Sequence, residues 1–506
     1  MNNYSRTKNA ILNIFFGYFA QISLIILTFI GRKVFLEYLS IDYLGINGLY
    51  TNILTFLSLP ELGLDAAVIY TLYKPVAENN TKLVSTLVSF FKKIYRYIAI
   101  TIFTLGMLLV PFLPKLVSST LSEKDLIAYY VLFLINTVLT YLIAHKVALL
   151  MAYQENRIIK IISIPVNLFL QLLYIIVLIL WRDYYVYILA SIISTIINNL
   201  LLSYQCNKIH KDIFQEQEKV YFDRNEIKNR FRSTLLYKLG AALINSTDNI
   251  LISIVVSTVA VGYYSNYVTI INAIQGFIGI ISLSLISGIG NLAVGGNYEK
   301  QSELFYFLLF VYHIIGAIGF IGISLLVNNV LTFWLGNGYV LDDTTVYIIA
   351  GNFYLTNIIS PVWMFREANG CYDKVKYVLL FRALLNLFLS ILLGNIYGIF
   401  GILLATALSL IFTNFWIEPM ILMKYVLYSK VRHYWCKQFY YSLITFMCFF
   451  ILNLLIKSSD ITIINFIAKS VTIVGFVCTA FTIFTFKTDE CKKSLVYINK
   501  IVRRCF

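Results

Sequence analysis

Residues 304–328 read LFYFLLFVYHIIGAIGFIGISLLVN, a run of 25 residues without a single Asp, Glu, Lys or Arg. A helix needs about 20 apolar residues to cross the hydrocarbon core of a bilayer, so this run is long enough to span a membrane. Similar runs follow one another from Ile11 to Phe486, and the polar breaks between them are short. The longest break, residues 207–232, has 26 residues and cannot hold a soluble catalytic domain.

The composition agrees with this interpretation. Hydrophobic residues make up 59% of the 506 residues and charged residues 13%, whereas an ordinary soluble domain has about 25% charged residues. The function is therefore transport across the membrane or chemistry on a lipid substrate. The length criterion predicts an all-α polytopic membrane protein with about fourteen transmembrane helices. These lie at residues 11–35, 44–72, 94–114, 125–151, 159–181, 184–205, 234–256, 262–293, 304–328, 344–365, 377–395, 397–423, 438–456 and 461–486.

The basic residues predict the orientation. With both termini in the cytoplasm, 33 of the 40 Lys and Arg residues fall in cytoplasmic segments and six fall outside, which is the asymmetry of the positive-inside rule. The same distribution explains the net charge of +15, because the basic residues are spread over every inner loop. A nucleic-acid partner would need a single basic patch, so none is expected. The predicted location is the bacterial cytoplasmic membrane, with attraction to anionic membrane lipids.

Weak internal similarity indicates a duplication. Spans two and eight end in similar polar residues, 224 residues apart in the sequence. Basic residues also precede both span one and span seven. Six spans repeated once give two halves of the same orientation, as in transporters with parallel repeats. The predicted organisation is an N-terminal lobe at 1–206, a cytoplasmic linker at 207–232, a C-terminal lobe at 233–425, and two extra spans with a basic cytoplasmic tail at 426–506.

Several motifs resemble one family of membrane proteins. Residues 58–77, SLPELGLDAAVIYTLYKPVA, resemble the end of the second helix in polysaccharide-biosynthesis flippases, which export O-antigen and capsule repeat units. Those flippases belong to the multidrug/oligosaccharidyl-lipid/polysaccharide exporter (MOP) superfamily. Four further segments are similar to that family in the same order along the chain: GINGL at 45–49, TDNI at 247–250, GYYSNY at 262–267 and REANGCYDK at 366–374.

The resemblance implies both a fold and a substrate. The implied fold has two pseudo-symmetric six-helix lobes around a central cavity that opens alternately to the two sides of the membrane. The implied substrate is a polyprenyl-diphosphate-linked oligosaccharide with an anionic diphosphate head, moved from the inner to the outer leaflet. A coupling ion, H⁺ or Na⁺, and a polysaccharide polymerase and glycosyltransferases as partners are further expectations. No cofactor and no metal site are expected, and the protein is not expected to be an enzyme.

Four basic residues are candidates for binding the diphosphate. Arg32 lies at the outer end of span one, where its guanidinium could bind phosphate oxygens or simply reach the outer interface. Lys146, Arg366 and Arg382 lie near the inner ends of spans four, ten and eleven. They could receive the diphosphate from the cytoplasmic leaflet, and ordinary positive-inside placement explains them equally well.

Acidic residues within the spans form a second group of candidates, since intramembrane charges are costly and often functional. Asp248 falls near the middle of span seven and is followed by Asn249. It could couple transport to an ion, contact sugar hydroxyls, or pair with an arginine or a neighbouring helix. Glu61 and Asp65 lie one helical turn apart on span two and share a face. They could serve as a proton-coupled site or as an inner gate that pairs with Lys74.

Other functional classes remain open. An ion-coupled multidrug or cation antiporter of the same superfamily would share the fold and suit an acidic cavity. A membrane polysaccharide polymerase or ligase would need acidic catalytic residues and usually a large outer loop. An ATP-driven mechanism within this chain is excluded, because no GxxxxGK[ST] sequence is present. The aromatic residues of the segment 184–187, YYVY, are predicted to anchor the helix at the outer interface.

Overall fold

The structure is a computed structural model in which every long regular element is a helix among the residues described. These are residues 3–216, 218, 220–222, 240, 243, 247–294, 298–456 and 462–494, without the side chains of 3–20, 59–63, 65–67, 284, 287, 291, 294, 372, 373 and 463. Contacts between Cα atoms divide the chain into two compact units, Met1–Gly262 and Tyr263–Phe506. The predicted lobe boundaries at 206, 233 and 425 stay a prediction.

The first unit contains the helices α1 to α11. Their bounds are α1 Asn3–Tyr38, α2 Ile41–Leu57, α3 Leu59–Ala77, α4 Thr81–Leu109, α5 Leu113–Leu116, α6 Glu123–Tyr141, α7 Ala144–Ala152, α8 Asn156–Leu180, α9 Tyr184–Ile209, α10 Lys211–Gln215 and α11 at 247–255. Helix α1 packs against α8, α8 against α9, and α6 against both α4 and α9. The core between them includes the fully buried side chains of Tyr50, Phe91 and Tyr130.

The second unit is built from the remaining long helices. Helix α12, Thr258–Val294, begins in the first unit and continues into the second, and the others are α13 Tyr298–Leu335, α14 Asp343–Ala368, α15 Tyr372–Phe412, α16 Asn414–Tyr425, α17 Val431–Leu455 and α18 Ile463–Thr485. Helices α13 and α14 pack along each other, α15 packs on α14, and α18 packs on α13. The charge-free run 304–328 therefore lies inside α13.

Ten helices of the described part are long and apolar enough to cross a membrane. One of them, Lys374–Tyr425, has 52 residues and reverses at Gly398, whose φ of 61° and ψ of −136° are not helical. A Cβ at Gly401 would lie 2.0 Å from the carbonyl oxygen of Leu393, so only glycine allows this tight turn. The turn separates the predicted spans eleven and twelve. The predicted all-α polytopic fold is confirmed, and the protein is a multi-pass membrane protein.

Several predicted spans are divided into shorter helices, among them span four, which comprises α6 and α7. Span two breaks at Ser58, between α2 and α3, where Pro60 in the first turn of α3 has no amide proton to donate to the preceding turn. Span twelve breaks at Thr413, whose φ of −125° and ψ of −89° end α15 before α16 begins. Breaks of this kind expose backbone polar groups that hydroxyl and amide side chains can satisfy.

A glycine contact joins α2 to the first turn of α12 within the first unit. A Cβ at Gly45 would lie 1.9 Å from the carbonyl oxygen of Thr258, and one at Gly262 would lie 2.7 Å from the carbonyl oxygen of Ile41. The two backbones can approach this closely because neither glycine carries a side chain. Small residues serve the same purpose at helix contacts in membranes generally, where lipid tails compete with apolar side chains for packing.

Candidate functional site

The first unit contains a cavity of about 470 Å³. We call it the α2 cavity, because α2 supplies one wall and α6, α8 and α9 supply the others. Its lining residues are Asn47, Thr51, Leu54, Thr55, Ser58, Phe133, Asn136, Thr137, Thr140, Tyr141, Tyr174, Tyr187, Ile188 and Ser191. Among these described residues none is Asp, Glu, Lys or Arg. The cavity is therefore polar without carrying a charge of its own.

Helix periodicity explains why α2 presents a polar wall. Asn47, Thr51 and Thr55 follow one another at intervals of four residues, so their side chains stack on one face of the helix. The opposite face carries Leu49 and Tyr50, which are fully buried in the core of the first unit. Helix α2 thus packs through its apolar face and leaves its hydroxyl and amide groups facing the cavity.

The hydroxyl groups on this wall are already hydrogen-bonded to their own helix. Thr51 donates to the carbonyl oxygen of Asn47 at 2.7 Å, and Thr55 donates to the carbonyl oxygen of Thr51 at 2.7 Å. Ser58, at the break between α2 and α3, donates to Leu54 at 2.8 Å. Such bonds are the usual way in which an apolar surrounding accommodates a helical hydroxyl group.

The opposite wall repeats the pattern. On α6, Thr137 donates to Phe133 at 3.0 Å and Thr140 donates to Thr137 at 2.7 Å. Asn136 donates through Nδ2 to the hydroxyl oxygen of Ser191 on α9 at 2.9 Å. Its Oδ1 atom is buried and has no hydrogen-bond partner in the described part of the chain.

Tyrosine rings close the cavity on the α8 and α9 side. Tyr174 and Tyr187 stack with ring centroids 3.9 Å apart and an angle of 15° between their planes. Tyr184, one turn before Tyr187, is 2% exposed and packs against Tyr43 and Tyr129. Tyr184 and Tyr187 thus pack against rings of neighbouring helices, and the anchoring of the segment 184–187 at the outer interface stays a prediction.

Arg32 is a charged residue near Tyr187, which lines the α2 cavity. It lies on α1, which packs on α8, and it is half-buried within electrostatic reach of the Tyr187 hydroxyl. The neighbouring Lys33 is exposed. A positive charge beside an uncharged cavity disfavours a cationic ligand and favours a neutral or anionic one.

The second unit holds a buried ion pair at the end of α14. Arg366 donates through Nη1 to Oε2 of Glu418 at 2.7 Å, and Asn414 donates to Oε1 of the same carboxylate. Arg382 on α15 lies close enough to act electrostatically on Glu418. The four side chains are at most 7% exposed, and Glu367 lies 3.8 Å from Arg366 at the exposed edge. Arg366 and Arg382 are thus brought together around one carboxylate.

Comparison with known proteins identifies the fold. No protein-family model matches the chain, and no curated protein matches it in sequence. The lipid II flippase MurJ, in an inward closed conformation, has a TM-score of 0.67 at 15% identity, covering 94% of this chain and 99% of MurJ. An inward-facing MATE-family multidrug resistance transporter of the MOP superfamily has a TM-score of 0.56 at 12% identity, covering 79% and 94%. The fold is that of MOP-superfamily transporters.

A third structure extends this likeness. A MOP-superfamily transporter from Pyrococcus furiosus has a TM-score of 0.52 at 14% identity, covering 81% of this chain and 96% of that one. The all-α polytopic fold that the sequence predicted is thus also the fold of these transporters. The TM-scores of 0.52 to 0.67 show a common fold, and the low identities leave the substrate to the chemistry of the site.

The other predicted site residues occupy separate places in the MOP fold. Asp248 and Asn249 lie on α11 and are half-buried. Asn249 faces α2, with its Nδ2 atom 3.9 Å from the position of a Cβ at Gly48, and its Oδ1 atom is buried without a hydrogen-bond partner in the described part. Glu61 and Asp65 lie on α3, but their side chains are outside the described residues.

Lys146 lies on α7, away from the lining of the α2 cavity. Its ammonium group donates to the hydroxyl of Ser203 on α9 and lies 5.4 Å from the ring centre of Phe214 on α10. Both contacts hold the side chain at the end of the first unit that the basic residues predict to be cytoplasmic. In the described residues, no group of three or more His, Cys, Asp or Glu side chains is arranged to hold a metal ion.

Sequence reasoning missed two parts of the site. Glu418 could have been found, because it is a carboxylate within a predicted span and such charges are candidates by default. Thr51 and Thr55 gave no such signal, since threonine is common in membrane helices. Only the packing of α2 against its neighbours distinguishes these hydroxyls from those that face lipid.

Proposed function

We propose that the protein is a flippase for a polyprenyl-diphosphate-linked oligosaccharide repeat unit. It moves this lipid from the inner to the outer leaflet of the bacterial cytoplasmic membrane by alternating access, and it serves capsule, O-antigen or exopolysaccharide synthesis. The main support is the α2 cavity, which is uncharged, rich in hydroxyl and amide groups and walled by tyrosines. Sugars need such an environment, because each polar group that leaves water must find a new hydrogen bond.

The basic candidates fit the anionic part of this substrate. Arg32 beside the α2 cavity would provide a guanidinium whose planar set of donors suits phosphate oxygens. Lys146 would attract the diphosphate at the predicted cytoplasmic end of the first unit. For Arg366 and Arg382 to bind phosphate, the diphosphate would have to replace or share the contacts with Glu418. Coupling to H⁺ or Na⁺ would fall to Asp248, Glu61 or Asp65.

A cation antiporter is the second candidate function. The MATE-family transporters share the fold, and Asp248 is a carboxylate within a predicted span. The uncharged lining of the α2 cavity and the adjacent Arg32 argue against it, since a cationic drug is best held by a carboxylate in a site of low dielectric.

Deletion of the gene in its host tests the proposal. We expect surface polysaccharide to be lost and completed lipid-linked repeat units to accumulate in the inner leaflet, because the polymerase and its partners receive no substrate. Intact polymer together with new sensitivity to cationic dyes would contradict the flippase and support the antiporter. Repeat units that reach the outer leaflet without being polymerised would point to a polymerase.

A further inference from the structure

We propose that the α2 cavity is a sugar-binding subsite that recognises uncharged saccharide hydroxyls as hydrogen-bond donors and leaves the diphosphate outside. This inference rests on the proposed function and names the part of the substrate that the cavity receives. It follows from the direction of the hydrogen bonds around the cavity, which determines whether the wall offers donors or acceptors to a ligand.

A hydroxyl group has one proton and two lone pairs. Thr51, Thr55 and Ser58 each donate that proton to a carbonyl oxygen of the preceding turn, at 2.7 to 2.8 Å. The oxygen of each is left with lone pairs only. Toward the cavity, these three hydroxyl groups can therefore accept hydrogen bonds from a ligand, and they cannot donate them without breaking a bond within the helix.

Two hydroxyl groups of the facing wall have the same polarity. Thr137 and Thr140 donate to carbonyl oxygens of α6, so their oxygens are also acceptors toward the cavity. Asn136 uses Nδ2 to donate to Ser191 and keeps Oδ1 buried, with no protein partner in the described part. Because that Oδ1 atom is buried, the acceptors that this wall offers to a ligand are the hydroxyl oxygens of Thr137 and Thr140.

This polarity separates the two halves of the proposed substrate. Diphosphate oxygens are acceptors and carry negative charge, so the lone pairs of these threonine and serine oxygens would repel them. Sugar hydroxyls can donate, and they carry no charge that the site would have to neutralise. The stacked rings of Tyr174 and Tyr187 add a flat surface with an apolar face, against which the C–H groups of a sugar ring can pack.

An organic ammonium ion is another ligand that can donate hydrogen bonds to these oxygens. An ammonium group would meet the same acceptors, but the described lining offers it no carboxylate and Arg32 lies beside Tyr187. Burying an ion without a countercharge costs far more than burying a hydroxyl that finds its hydrogen bonds. The neutral sugar is therefore the better occupant.

Binding to the purified full-length protein in lipid nanodiscs tests this inference. The two probes are undecaprenyl diphosphate and undecaprenyl diphosphate linked to a neutral disaccharide, and the measured quantity is the ratio of their Kd values. In the wild type the disaccharide probe should bind more tightly. The double variant T51V/T55V keeps the side-chain shape but removes two acceptors, and it should reduce this preference by about 25-fold, or about fivefold per hydrogen bond.

Two matched variants serve as controls. T51S/T55S restores both hydroxyls and should restore the preference for the sugar-bearing probe. Thr101, exposed on α4, donates to the carbonyl oxygen of Tyr97 at 2.8 Å and does not line the cavity, so T101V should leave the ratio unchanged. A threonine-to-valine effect unrelated to the cavity would appear in T101V as well.

Three other outcomes would contradict the sugar subsite, and one of them would also contradict the flippase proposal. Equal affinity of the wild type for the two lipid probes would overturn the sugar subsite and leave the flippase proposal in place. If T51V/T55V showed the same preference as the wild type, the sugar subsite would also be overturned and the flippase proposal would stay in place. Binding of tetraphenylphosphonium with no binding of either lipid would overturn both the subsite and the flippase proposal.

Discussion

Arg366 and Glu418 are 52 residues apart in sequence, yet their side chains form a hydrogen-bonded ion pair of 2.7 Å, with both groups buried. Asn414 completes the coordination of the carboxylate by donating to its second oxygen. Glu418 thereby links the end of α14 to the start of α16, just beyond the helix break at Thr413. Removal of one member of a buried pair leaves the other charge without compensation.

We therefore expect Glu418→Gln to lower the stability of the protein by about 3 kcal/mol. The measurement is the thermal unfolding midpoint in detergent, compared with that of Glu303→Gln. Glu303 pairs with Lys493 at 2.8 Å, but both side chains are exposed, so its replacement should leave the midpoint unchanged. Equal midpoints for both variants would show that the buried pair adds no stability.

The glycine contact between α2 and α12 predicts a second effect on stability. An alanine at Gly45 would place its Cβ 1.9 Å from the carbonyl oxygen of Thr258, so the two helices must move apart. We expect Gly45→Ala to destabilise the protein by about 1–3 kcal/mol, as overpacking does elsewhere. Gly279→Ala on α12 meets no atom within 4 Å and should be neutral or slightly stabilising, since alanine favours helix. Thermal unfolding of both variants decides this, and an unaffected Gly45→Ala would refute the close contact.

Asp248 gives a prediction about transport. If its carboxylate takes part in coupling or in substrate contact, Asp248→Asn should impair export of the polysaccharide while the protein remains folded and inserted. The assay is complementation of the deletion strain, with the amount of protein in the membrane measured in parallel. Asp212→Asn changes an exposed acid on α10 and should export normally. Normal export by Asp248→Asn would remove Asp248 from the site.

Variants of Arg32 and of its neighbour Lys33 distinguish phosphate binding from anchoring at the membrane interface. Arg32 is half-buried beside Tyr187, whereas Lys33 is exposed. If Arg32 binds the diphosphate, Arg32→Gln should reduce export about tenfold or more, because a charge-assisted hydrogen bond contributes about 1.5–3 kcal/mol. Lys33→Gln should have little effect. Similar export by the two variants in the complementation assay would support anchoring at the membrane interface for both residues.

Much of the fold could be predicted from local sequence. The run 304–328 has the length and composition of a membrane span, and the structure places it inside α13. Pro60 lies in the first turn of the helix that follows the break at Ser58. Each of these features depends on residues within a few turns of one helix, where the cost of burying backbone groups in lipid leaves few alternatives.

The candidate site could not be predicted in the same way, because it is formed by contacts between segments that are distant in sequence. The sequence offered Arg366 as a phosphate ligand and did not reveal its pairing with Glu418, because 52 residues separate them. It also did not reveal that the Tyr187 ring stacks on Tyr174 and lines the α2 cavity. Periodicity identifies which residues share a helix face, but it does not identify what that face meets.

The sequence by itself determined that this protein crosses the membrane many times as helices, since apolar length and the need to satisfy the backbone act within each segment. Only the tertiary structure decided which hydroxyl groups surround a cavity and which charges are buried together. Those outcomes depend on how helices pack, and in a membrane the hydrophobic effect does not select one packing over another. Close contacts such as Gly45 against Thr258, and hydrogen bonds such as Asn136 to Ser191, make that selection instead.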